Sequence, residues 1–243
     1  MKLQKLSLVL FIFLAASFLA FPQNVEQIIK KHIKARGGNK LSSIAAVKFI
    51  GKIETAGKTY KLLFIKKMPD KIRFQVDMNG TPGVTVFDAD SGWIFDPSQG
   101  QYEPKKLSPD EIKQKKPLIS YLMVFFDDLL LHYKTKSFKV SYIGKEEFHG
   151  RTYFKILVML KDGTVITYYI NSKTYLDDYH KVLFTDLNVV FDIDLSQFAL
   201  VEGINIPLII ESKVHNQRMT RITIETIKIN PDLNDEYFEM PKF

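Results

Sequence analysis

Cysteine is absent from the 243-residue chain, which excludes disulfide staples, thiolate metal sites and a lipid anchor on cysteine. Histidine is scarce: the five lie at positions 32, 132, 149, 180 and 215 with no HExxH pair among them. The sequence has no glycine-rich phosphate loop and no G-x-S-x-G after a strand. Asp192 and Asp194 share a strand face, as solvent-facing strand positions commonly do, so paired catalytic carboxylates are not inferred. His32 reads as a packed helix-seam residue rather than a metal ligand. Catalysis, a metal and a cofactor are therefore not expected. The net charge of +7 suggests attraction to anionic surfaces but is too small to imply nucleic acid.

Long hydrophobic runs are also missing, with one exception at the start. Lys2 and Lys5 precede "LSLVLFIFLAASFLAF", which ends near small residues and Pro22. A positive start, a short apolar stretch and a small-residue exit describe a secretory signal peptide over residues 1–20. Left uncut, the same run would be an N-terminal membrane anchor. Residues 21–243 are enough to bury about 70 % of the unfolded surface without disulfides. An exported chain without cysteine fits a bacterial envelope, and the periplasm is the expected compartment.

What is present is mostly alternation. "NVEQIIKKHIKARGG" reads as one helix, with Asn24 and Gln27 as a capping signal and Gly37-Gly38 closing it. Ile28, Ile29, His32 and Ile33 fall on one side of it. After Leu41 the period becomes two, as in "KIRFQVDMNG", where Ile72, Phe74, Val76 and Met78 alternate with polar residues before an Asn79-Gly80 turn. Roughly ten or eleven antiparallel strands follow one another with no linker between them. One segment interrupts the meander. Ser108, Pro109 and Glu111 spell a helix start, and Pro117 is expected to begin a second helix after a bend. Residues 118–126 are apolar except Ser120, far short of the ~20 that a membrane span needs. A helix apolar all round must be covered on more than one face.

Five stretches in this order, "EQIIKKHIKARGGNKLSSIAAVKFIGKI", "GWIFDPSQGQYEPKKLSPDE", "YIGKEEFHGRTYFKILVMLKDGTVITYYINSKT", "VEGINIPLIIES" and "YFEMPKF", resemble the outer-membrane lipoprotein-sorting family, LolA/LolB-like. The resemblance spans essentially all of 21–243. It implies a mainly β fold with short helices: a single incomplete antiparallel β-barrel of about 11 strands around a hydrophobic cavity, under a helical lid. It implies a non-catalytic carrier of a lipid or acylated lipoprotein, loaded by an inner-membrane donor transporter and relieved by an outer-membrane acceptor, with transient contact at a membrane surface. Carriers of that family use an arginine near the cavity mouth; Lys48, Lys52 and Arg73 give no match for it.

On this reading the dry strand faces line the cavity through Phe49, Ile53, Ile72, Phe74, Val76, Trp93, Ile156, Val158, Ile222 and Ile224. Leu122, Phe125, Phe126 and Leu129 form the lid. The lysines at 105, 106, 113, 115 and 116 beside the lid are either a solvated helix face or a contact for anionic head groups. An alternative of another class is a periplasmic regulatory or assembly module that docks a protein partner through the apolar lid.

Overall fold

The computed structural model describes residues 24–78, 80–122 and 128–241. Helix α1 (Val25–Arg36) begins at Asn24, whose side chain accepts the Glu26 amide, and stops where the amide of Gly37 turns back to the carbonyl of Ile33. A single turn, α2 (Asn39–Ser42), leads into the first strands. These are β1 (Ala46–Thr55), β2 (Lys58–Lys67), β3 (Lys71–Met78), β4 (Thr81–Asp88), β5 (Ser91–Phe95) and the two-residue β6 (Lys105–Lys106). Helices α3 (Pro109–Leu122) and α4 (Leu129–His132) follow. The remaining strands are β7 (Lys139–Phe148), β8 (Arg151–Met159), β9 (Val165–Asn171), β10 (Asp177–Phe184), β11 (Val189–Val201), β12 (Ile204–Val214) and β13 (Gln217–Ile229).

All thirteen strands form one sheet in the order β6-β5-β4-β3-β2-β1-β13-β12-β11-β10-β9-β8-β7. Each neighbouring pair is antiparallel, and β1 pairs with β13 through Val47↔Ile229 to Thr55↔Thr220. Among the described residues β6 and β7 are the two edges and do not pair, so the barrel is incomplete. That is the expected architecture, with two more strands than alternation suggests. The short β6 is too brief to show a period. In β10 the inward positions Asp177 and His180 are polar yet buried, which hides the period-two pattern.

Directly opposed residues point to one face of a sheet, so cross-strand rows define the inner wall. One row runs Leu195–Ile210–Ile222–Ile53–Tyr60. Another runs Phe49–Phe64–Phe74–Thr85–Ile94. A third, on the far half, runs Val158–Ile166–Val182–Phe191. Helix α1 lays Ile28 and Ile29 on this face, and Leu107, Ile112, Leu129 and Leu130 from the lid region join the same buried cluster. The register of β1 against β13 shifts between Ile50 and Gly51, a bulge of the kind that bends a strand. A Cβ at Gly51 would collide with the Thr223 carbonyl, so glycine is required for the two strands to approach.

The outer face is also covered in part. Leu233 and Phe238 pack on Ala46, Ile65, Val84, Val86 and Trp93. Lys67 and Lys71 hold Asp235 at 2.6 and 3.2 Å, and Arg73 donates to the Tyr237 carbonyl at 2.8 Å. The segment after β13 thus straps the outside of β1–β5.

The lid differs from expectation. Helix α3 runs unbroken through Pro117, which lies inside it rather than starting a new helix. Losing one intrahelical hydrogen bond at proline costs stability, but Ile112 is buried and Leu118 and Ile119 pack partly on the core, which offsets the loss. Ser108 and Glu111 do form the reciprocal capping box: the Ser108 amide reaches Glu111 at 2.8 Å and the Glu111 amide reaches the Ser108 hydroxyl at 3.3 Å. The Ser108 amide, with help from Lys105, holds the Glu111 carboxyl down to about 2.

Candidate functional site

The inner wall leaves an apolar hollow of about 300 Å³ on the β1–β5 half. Its floor is Ile53 of β1, Tyr60 of β2, Phe74, Val76 and Met78 of β3, and Ile94 of β5. Two features of the sequence create the space. Gly83 stands opposite Val76, and a Cβ there would lie 3.0 Å from the end of Met78. Thr85, opposite Phe74, is small where the neighbouring row places Phe87 opposite Ile72. Val84, Phe95, Thr55, Ser98, Thr220 and Asp96 complete the lining.

A second cavity, of about 380 Å³, lies under the first turns of α3 at the ends of β9 and β10. Asp110, Lys113 and Gln114 of α3 face Asp162, Thr164 and Asp186 across it, and Lys113 and Asp186 stand 3.5 Å apart. This one mixes charged residues and a salt bridge with Pro117, Phe184 and Leu187.

The candidate wall residues divide into three groups. Ile53, Phe74 and Val76 line the apolar hollow. Phe49, Ile72, Ile156, Val158, Ile222 and Ile224 belong to the same buried cluster but do not line the hollow. Trp93 is on the opposite face: its indole Nε1 donates to the Phe238 carbonyl at 2.9 Å, and Arg73 stacks over its ring at 5.8 Å. Strand β5 is apolar on both sides because the segment after β13 covers its outside, so its parity cannot be read from composition. Of the lid residues, Leu129 is buried on the core. Leu122 is described only as the last residue of α3, and Phe125 and Phe126 lie outside the described residues.

Between α1, the lid and β10 the inner face carries a buried polar network. His32 Nδ1 donates to the Tyr175 carbonyl at 2.9 Å and Nε2 donates to Asp128 at 2.7 Å. Arg36, one turn further along α1, pairs with Asp177 at 2.8 Å and donates to the Asn205 carbonyl at 3.1 Å. Asp177 also accepts from His180 Nε2 at 2.9 Å. Burial opposes charge on both acid and base. It is outweighed at Asp177 by Arg36, His180 and His32, which hold the carboxyl well below the usual range. At His32 burial is outweighed by Asp128 and then Asp177, against Arg36, and the pKa is raised. His32 is buried as expected, but its surroundings are ionic rather than apolar. Arg36 escapes a search for functional residues, although its position four after His32 on the α1 seam is a visible signal.

Asp192 and Asp194 sit on the outer face. Asp192 accepts the Tyr179 hydroxyl and Asp194 pairs with Lys213 at 2.6 Å, which fits their reading as surface strand residues. Of the basic group near the lid, Lys105 pairs with Glu111 at 3.0 Å and Lys116 donates to the Ala89 carbonyl at 2.8 Å. No group of three or more His, Asp or Glu side chains among the described residues is placed to hold a metal ion, and no described helix is long and apolar enough to cross a membrane.

No protein-family model matches the sequence, and no curated protein matches it at the sequence level. Solved structures do match the fold. A LolA superfamily protein of Nitrosomonas europaea superposes with a TM-score of 0.58 at 12% identity, over 88% of this chain and 96% of that one. A DUF1329 family protein of Desulfovibrio piger gives 0.57 at 14% identity, over 88% and 97%. A domain from Vibrio parahaemolyticus named for outer membrane lipoprotein sorting gives 0.56 at 12% identity, over 87% and 94%. The chain shares the LolA-like fold with these proteins.

Proposed function

We propose that the chain is a non-catalytic periplasmic carrier that holds a lipid, or the acyl part of an acylated lipoprotein, inside the half-barrel. Residues 1–20 would direct export and 21–243 would form the working domain. The observation that carries this reading is the apolar hollow of about 300 Å³ on the inner face of an open sheet. Pockets that bind small molecules start at about this size, and one acyl chain is the simplest occupant. Each buried methylene is worth ~0.8 kcal/mol, so an acyl chain of about 16 carbons offers roughly 10–12 kcal/mol before ordering costs. Micromolar binding needs only about 8 kcal/mol. Ile53, Phe74 and Val76 would touch the chain, and the remaining inner-face residues would back them. The lid would cover it through Leu122, Phe125, Phe126 and Leu129. A tight carrier does not empty spontaneously, so an inner-membrane donor and an outer-membrane acceptor of higher affinity are required partners.

Uptake of the apolar fluorophore N-phenyl-1-naphthylamine by the purified mature chain tests this directly, together with mass spectrometry of protein extracted gently from its native envelope. Saturable fluorescence enhancement and a co-purifying acyl species are expected. Protein that takes up no fluorophore and carries no acyl species overturns the reading. The docking alternative draws on Leu118 and Ile119, which α3 leaves half-exposed. It would be favoured by charged substitutions at Phe125 and Phe126 that abolish capture of a partner while fluorophore uptake stays intact.

A further inference from the structure

The lining of the apolar hollow has a charge pattern unlike the rest of the chain. Lysine and arginine outnumber aspartate and glutamate by 34 to 27, yet no lysine, arginine or histidine lines this cavity among the described residues. Its polar complement consists of the hydroxyls of Thr55, Tyr60, Thr85, Ser98 and Thr220, with one carboxylate, Asp96. Asp96 accepts the Ser98 hydroxyl at 2.5 Å and has no ion-pair partner among the described residues.

Cations close to this end of the sheet are committed elsewhere. Arg218 faces Glu54 and Glu211 at 3.7 and 3.5 Å, Arg221 pairs with Glu211 at 2.7 Å, and Lys52 pairs with Glu225 at 2.6 Å. Lys58, opposite Thr55 at the hairpin end and so on the same face, is exposed and is not among the residues that line the hollow. A carboxylate or phosphate seated at the Asp96–Ser98 side of the mouth would meet hydroxyl groups and a like charge. Hydroxyl dipoles offer much weaker hydrogen bonds to an anion than a guanidinium or ammonium does, and a like charge nearby raises the cost further.

We infer that the cavity selects acyl ligands whose head group carries no negative charge and donates hydrogen bonds, the chemistry of an acylglycerol rather than of a fatty acid or an anionic phospholipid. This rests on the proposed carrier reading and assigns its ligand class. The acyl chain occupies the floor between Val76 and Ile94, and the head group lies at the Asp96–Ser98 side, where the free carboxylate oxygen accepts a hydroxyl or ammonium proton.

The test compares monomyristoylglycerol with myristate, both below their micelle-forming concentrations and at a pH where myristate is ionised, as displacers of N-phenyl-1-naphthylamine from the full mature chain. Monomyristoylglycerol is expected to bind at least about tenfold more tightly, the order of effect that one like-charge contact produces. The substitution Asp96→Lys is expected to reverse or erase the preference, read as the ratio of the two displacers' affinities within that variant. Gly83→Leu, which fills the floor, is expected to weaken both ligands together. Equal or tighter binding of myristate overturns the inference and leaves the carrier reading standing, as does a preference that survives Asp96→Lys. Loss of fluorophore uptake by the unsubstituted chain would instead overturn the carrier reading itself. Binding of both ligands undiminished by Gly83→Leu, in a variant that melts like the parent, would place the site elsewhere and overturn the inference.

Discussion

His32 Nε2 lies 2.7 Å from Asp128 Oδ2 with both side chains buried, joining α1 to the start of α4. The other ring nitrogen faces the Tyr175 carbonyl at 2.9 Å. A carbonyl oxygen and a carboxylate both only accept, so these partners favour the ring with both nitrogens protonated, the direction in which the His32 pKa is shifted. Asp128 in turn accepts the Leu130 amide at 3.0 Å and so caps α4. One charged hydrogen bond thus fixes where the second part of the lid begins. A second bond, from Lys134 just after α4 to Glu26 of α1 at 2.8 Å, is exposed and contributes little.

Replacing His32 by Ala leaves a buried carboxylate without its cation. A loss of about 3–5 kcal/mol is expected, as for other broken buried pairs, measured by urea denaturation. Hydrogen exchange at Leu130 and Leu131 is expected to rise more than exchange in β12 or β13, because the cap on α4 goes with the pair.

The pair also gives stability a pH dependence. Folding raises the His32 pKa, so the folded state holds its proton more tightly than the unfolded chain. The contribution is complete below the unfolded value near ~6.5 and is lost as pH rises through the folded value. Asp177 has the opposite sign. Its lowered pKa stabilises the fold above the unfolded value near ~3.9 and loses effect as pH falls toward the folded one. Thermal melts across this range are expected to show a decline on the alkaline side that His32→Gln flattens and Lys134→Ala leaves alone.

Arg36→Met is expected to cost about 3–5 kcal/mol, since Asp177 then loses the guanidinium that pairs with it in the interior and keeps the hydrogen bond from His180. The double variant Arg36→Met with Asp177→Leu should recover part of that loss, because it removes the stranded charge as well. Urea midpoints of the two variants decide the point.

Trp93→Phe is expected to destabilise by about 1–2 kcal/mol through the unsatisfied Phe238 carbonyl, with fluorophore uptake unchanged. Trp93 is the sole tryptophan, so intrinsic fluorescence should respond to detachment of residues 233–241 and stay indifferent to ligands in the hollow. A large tryptophan signal on ligand binding without strap release would contradict this placement.

Period-two alternation sufficed to reveal the sheet because most strands keep one face dry, as Ile72, Phe74 and Val76 do against Arg73 and Gln75. The helix start at Ser108 was equally legible, since a capping box is local chemistry. Long-range pairing was not. Nothing in "YLDDYHKVLF" announces that Asp177 turns inward to meet Arg36, because the partner lies 141 positions away. The side on which Trp93 falls depends on a strap contributed by residues after β13. Pro117 looks like a helix boundary until the packing of Leu118 and Ile119 is known. Within the candidate site, Phe74 and Val76 were readable as wall residues, whereas the void itself comes from Gly83 and Thr85, small residues whose meaning appears only once their opposite numbers are fixed.

The seam between β1 and β13 lies in the interior of the sheet, flanked by β2 and β12. Its register joins Val47 to Ile229, so nearly the whole length of the chain must be available before the two halves can be stitched together. Contacts this distant in sequence slow folding. A polypeptide delivered amino end first stays unstitched until β13 is available, so the wall is among the last parts of the fold to be completed.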